Sequence, residues 1–150
     1  MSLRLIFNIL AVCGAACFTG AMLTIGLTLG AYWKCLAPAA FLDWFGANSH
    51  LIGRTIPIFA IPTLVGLVGS LWLDWEDSPA RWLWAAALVC LAALGAITAV
   101  YHLPTNSAFV AKSVPLADVP ATLDRWLWLH AVRIALGLAC AVLGVVAIGR

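Results

Sequence analysis

Charge is missing from four long stretches of this chain, and that absence limits the fold more than any motif does. No charged residue lies between Arg4 and Lys34, between Arg54 and Asp74, between Trp82 and Tyr101, or after Arg133 until Arg150. About 20 apolar residues at roughly 1.5 Å rise each suffice to cross the hydrocarbon core of a bilayer as a helix. Four spans are therefore expected, at about 5–32, 55–73, 82–101 and 125–148, in one all-α domain covering 1–150. The composition agrees: 65% of residues are hydrophobic, 9% are charged, and mean hydropathy is +1.07. The fold class is an integral membrane four-helix bundle. A net charge of +2 without any basic run excludes a nucleic-acid partner.

The first stretch begins like a secretory signal, with Arg4 before an apolar run. Its length far exceeds the roughly 7–15 residues of a cleaved signal core. Bulky Val12 ahead of Cys13 weakens a lipoprotein reading as well, so a retained span is expected. Its Gly26-x-x-x-Gly30 pair fits either packing within one chain or a homo-oligomer face. Residues 36–50 combine Phe41, Leu42, Trp44 and Phe45 with a single charge, Asp43, and predict an interfacial or re-entrant segment before span two. Pro57 and Pro62 fall inside that span, and Pro62 removes a backbone bond near Ile58. Ser78-Pro79 predicts the start of span three. Pro104 predicts its end, with a wet loop from His102 to Asp124.

Eight tryptophans divide into two sets under this map: Trp33, Trp44, Trp126 and Trp128 at one end, and Trp72, Trp75, Trp82 and Trp84 at the other. Two interfacial belts are what four antiparallel spans predict. Lys and Arg are spread over both ends, so orientation stays undecided. The five cysteines make no CxxC pair; Cys13 and Cys17 share a helix face and suit either a thiol or soft-metal pair or plain packing.

The most informative stretch is Arg125-Trp126-Leu127-Trp128-Leu129-His130-Ala131-Val132-Arg133. On a helix, Trp126, His130, Arg133 and Gly137 form one stripe, and Arg133 lies roughly 10 Å deeper than Trp126. A cation inside a span either faces the bundle interior at a working site or snorkels to the headgroups. All three histidines, His50, His102 and His130, map to one end of the bundle, together with Arg54, Asn106 and Arg133. Three neutral imidazoles suit a Cu, Fe or Zn site. A single histidine suits a general base, with Arg133 and Asn106 stabilising the oxyanion that forms as a proton leaves carbon. The plainest alternative for each histidine is an interfacial side chain bonded to a loop carbonyl.

Pro104-Thr105-Asn106, followed by Trp126-x-x-x-His130-x-x-Arg133, resembles the anthrone oxygenase-like family of small four-helix membrane proteins, much of it bacterial. That family commonly reads asparagine, an apolar residue, then Pro-Leu-Asn; His102 and Thr105 depart from the pattern here. The resemblance implies oxygenation of a lipophilic anthrone- or quinone-like substrate in a bacterial cytoplasmic membrane, without an obvious bound cofactor. His130, Arg133 and Asn106 are its catalytic candidates. Trp126, His102, His50, Arg54 and Trp44 are candidates for substrate binding, and His50, His102 and His130 for a Cu or Fe site. The expected partners are the lipid bilayer and a lipophilic small molecule, with a homo-oligomer or a larger membrane complex as further options. Two competing readings are a non-enzymatic accessory subunit of such a complex and a histidine-ligated metal-binding membrane protein.

Overall fold

The computed structural model describes the backbone of all 150 residues and every side chain except that of Ser78. Four helices make up the bundle: α1 (Leu3–Lys34), α2 (Pro38–Leu73), α3 (Pro79–Val110) and α4 (Leu116–Ile148). Each is long and apolar enough to cross a membrane, the make-up of an integral membrane protein. There is no strand among the described residues.

The helices exceed the expected spans, and the excess changes the picture at one end. Residues 36–50 are not a re-entrant piece: from Pro38 onward they form the first turns of α2. Phe41 and Phe45 are buried there and meet Trp33 and Phe109 edge-on. Nor does Pro104 end the third helix. Thr98–His102 form a π-helical turn in which the Leu103 N–H reaches back five residues to the Thr98 carbonyl. A widened turn gives the pyrrolidine ring room where a regular turn would clash. The helix resumes over Leu103–Val110, so the expected wet loop shrinks to a short connection. At the other end of this helix Asp77 supplies the cap, accepting from the Ala80 N–H at 3.4 Å. Helix α2 runs unbroken through Pro57 and Pro62.

In lipid there is little hydrophobic drive for helices to associate, so close backbone approach and buried polar pairs matter more. Helices α1 and α2 meet at Gly66, where an added Cβ would run into the Ala11 backbone nitrogen. Ser70 Oγ donates to Asn8 Oδ1 across the same interface at 2.8 Å. The terminal end is fastened by buried Asp74, which accepts from Trp84 Nε1 at 2.8 Å and pairs with Arg4 at 2.8 Å. Both termini lie at that end. At the opposite end the exposed pair Lys34–Asp124 joins α1 to α4 and Lys112–Asp43 joins the α3–α4 connection to α2, contacts that contribute little individually.

The tryptophan belts are only half as expected. Trp72, Trp75, Trp82 and Trp128 face outward, whereas Trp33, Trp84 and Trp126 are core residues. A buried indole contributes packing area that an interfacial one does not. At the loop end, Trp33 and Trp126 join Phe41, Phe45 and Phe109 in one aromatic cluster.

Candidate functional site

Helix α4 directs Trp126, His130, Arg133 and Gly137 inward as its spacing requires, and all four are buried. Arg133 is 5% exposed, so it faces the bundle interior instead of snorkelling.

His130 is held from two sides. Its Nε2 lies 2.8 Å from the Met22 carbonyl of α1. A carbonyl only accepts, so Nε2 carries the hydrogen and Nδ1 the lone pair. That lone pair accepts from Arg133 Nη1 at 3.2 Å. Gly26 admits the ring, since an added Cβ would sit 3.1 Å from His130 Cδ2. Gly30 likewise packs on Leu127, so the glycine pair serves contact within the chain. Gly26 belongs to a second π-helical segment, Thr24–Leu29, a rare feature frequent at functional sites.

Trp126 lies flat on His130, with ring centroids 4.9 Å apart and planes 13° from parallel. Its Nε1 donates to Asn106 Oδ1 at 2.8 Å. Asn106 thus spends its oxygen on the indole and keeps its amino group as a free donor. His102, 1% exposed, lies on the π turn of α3 with its ring edge-on to Trp126 at 4.8 Å. Its Nδ1 lies 3.4 Å from the Ile97 carbonyl, and in the tautomer that donates there the lone pair is on Nε2, which has no protein partner among the described residues.

These side chains border a chamber of about 270 Å³. His102, Asn106, His130 and Arg133 form its polar wall; Trp33, Phe45, Ile52 and Ile56 contribute apolar wall. No Asp or Glu lines it, and Arg133 makes no ion pair among the described residues. Among the described residues, Arg133 Nε, Trp33 Nε1 and His102 Nε2 are all buried without a protein partner. Unpaired buried polar groups are costly, and an uncompensated cation in a low-dielectric site attracts an anion strongly.

The remaining sequence candidates lie elsewhere. Helix α2 lines the chamber with Ser49, Gly53 and Ile56. His50 and Arg54, each one position on from that stripe and hence turned by roughly 100°, are exposed outside it. Trp44 supports the wall from behind, 5.5 Å from Trp33. The three histidines therefore do not converge: only His102 and His130 meet, at 6.0 Å between ring centroids, and both His130 nitrogens are engaged. No group of three or more His, Cys, Asp or Glu able to hold a metal is present among the described residues, so this donor set does not fit Cu or Fe. Sequence reasoning overlooked Trp33, Ser49, Gly53 and Thr98 as lining residues. Apolar or small residues in a span carry no signal that separates a chamber wall from ordinary packing.

A family model described as anthrone oxygenase matches residues 3–143. No similar curated protein and no similar solved structure was found.

Proposed function

Because this chain belongs to the anthrone oxygenase family, we propose that it is a membrane-embedded oxygenase of a lipophilic phenolic ketone, converting an activated ring CH₂ to C=O. The membrane we assign it to is the bacterial cytoplasmic one. The observation that supports this most is the pairing, in one aromatic chamber, of a buried cation without a counter-ion, Arg133, and an imidazole with a free lone pair, His102.

The chemistry follows from those two groups. His102 Nε2 takes a proton from the CH₂ flanked by the rings, and the electron pair moves onto the ketone oxygen. Arg133 and the Asn106 amino group hold the resulting enolate, the role such donors play wherever negative charge develops away from water. The electron-rich carbon then reduces O₂ and bonds to it, giving a hydroperoxide once the His102 imidazolium returns its proton. Loss of the second C–H with cleavage of the O–O bond gives the ketone and water. One CH₂ and one O₂ become one C=O and one H₂O.

His130, expected from sequence to be the base, has no free lone pair for the task. Here it is a positioning residue, braced on the Met22 carbonyl through one ring nitrogen and holding the Arg133 guanidinium through the other. The test is steady-state turnover of an anthrone by purified protein, with O₂ uptake matched to quinone formed. Stoichiometric uptake that depends on His102 and Arg133 supports the proposal. A folded protein that neither binds nor oxidises such rings, and copurifies with a larger membrane assembly, would favour the accessory-subunit reading.

A further inference from the structure

A second depression, of about 390 Å³, runs between α2 and α3 and is larger than the chamber it adjoins. Ile56, Ala60 and Leu64 form one side, and Leu91, Gly95 and Leu103 are among the residues opposite. From Ile56 to Leu64 it extends roughly 12 Å along the helix axis. Its lining is apolar apart from Thr98 and Arg133, and Leu103 at its margin is 56% exposed, so the groove opens sideways toward lipid. Ile56, Thr98, Leu103 and Arg133 border both spaces. Arg133, with its Nε unpartnered, therefore stands where a polar chamber passes into an apolar groove.

We propose that the substrate is an amphiphile: a phenolic or quinone-like ring seated in the chamber and a hydrocarbon chain lying in the α2–α3 groove. This rests on the oxygenase reading and narrows its substrate class to chain-bearing rings. The two compartments differ in character as the two parts of such a molecule do, and they are continuous at the residue that would hold the ring oxygen. Ordinary lipid would fill the groove but leave the buried donors of the chamber unmet. The groove also confers orientation: burying a chain there gains little over leaving it in lipid, so its effect is to set which ring carbon faces His102.

Gly95 allows a clean test, because it lines the groove and an added Cβ there meets nothing within 4 Å among the described residues. Binding of two radiolabelled probes, a dihydroxyanthrone and the same ring bearing a decyl chain, is measured without O₂ on the full chain in nanodiscs. Wild type, Gly95→Leu and Ala92→Leu are compared, with decanol as competitor. The expected result is about tenfold weaker binding of the decyl probe to both variants, the usual scale of an overpacked site. The chainless ring is expected to bind all three proteins alike, and decanol to compete with neither probe. Equal effects on the two probes, no effect on either, or displacement of the decyl probe by decanol would overturn the proposal while leaving the ring site intact. Failure of the chainless ring to bind wild type would overturn the oxygenase reading and this inference with it.

Discussion

Arg133 donates from Nη1 to His130 Nδ1 across 3.2 Å, and the far nitrogen of the same ring donates to the Met22 carbonyl. The imidazole is thereby a strut between α1 and a buried guanidinium. A strut must donate at one end and accept at the other, but it has no need to titrate. His130→Gln, which keeps a donor of similar reach for Met22, is therefore expected to lose less than about tenfold in kcat/KM. Loss of a general base costs on the order of 100-fold or more. The kinetic comparison of His130→Gln with His102→Gln separates the two roles.

Arg133 is buried, with no carboxylate paired to it among the described residues. Removing an uncompensated charge from low dielectric relieves desolvation, and this offsets the hydrogen bond that His130 loses. Arg133→Met is expected to unfold at a temperature no lower than wild type while losing about 100-fold or more in turnover, the scale of a lost oxyanion donor. Thermal unfolding measured beside kcat checks this, and a marked fall in Tm would mean that the cation is structural.

Glycines of the first two helices should differ sharply in tolerance. Gly66→Ala drives a methyl into the Ala11 backbone, which cannot swing aside as a side chain can. A loss of about 1–3 kcal/mol or more is expected, as for other overpacked contacts. Gly20→Ala meets nothing within 4 Å and is expected to be neutral or to stabilise by up to about 1 kcal/mol through helix propensity. Detergent-to-denaturant unfolding of the two variants reads the difference.

At the terminal end, Asp74 serves both Trp84 and Arg4. Arg4 is largely exposed, so the ion pair itself is worth little, whereas the indole donor is fully buried. Asp74→Asn, retaining an acceptor, is expected to cost less than about 1 kcal/mol by the measure of exposed ion pairs. Asp74→Leu is expected to cost about 1–3 kcal/mol from the unsatisfied Trp84 N–H.

Helix number, the inward stripe of α4 and the interior placement of Arg133 were all legible in the sequence, because each rests on periodicity and on the scarcity of charge. The error at Pro104 was a local rule applied without its exception: a π turn ending two residues earlier admits the ring and places His102 and Asn106 on one helical face. That residues 36–50 continue into span two was not legible, because an aromatic-rich run with one charge looks the same in a separate segment as in the first turns of a helix packed on Phe109. His50 and Arg54 stand one helical position off the stripe of α2 that lines the chamber, since residues at one end of a bundle need not share a face. The roles proposed for the two central histidines could not be read from sequence. They depend on which carbonyl each ring meets, Met22 for His130 and Ile97 for His102, and those contacts join residues up to 108 positions apart.

His102 Nε2 is the base of the proposed reaction, and the most direct measurement is single-turnover oxidation of an anthrone prebound without O₂ to wild type and to His102→Ala, started by mixing with O₂. Wild type is expected to form one quinone per O₂ consumed. The variant is expected to bind the ring with unchanged affinity and to form quinone about 100-fold or more slowly, as loss of the general base requires. Equal rates in the two proteins would contradict the assignment of the base, and no oxidation by wild type that has bound the ring would contradict the proposed activity itself.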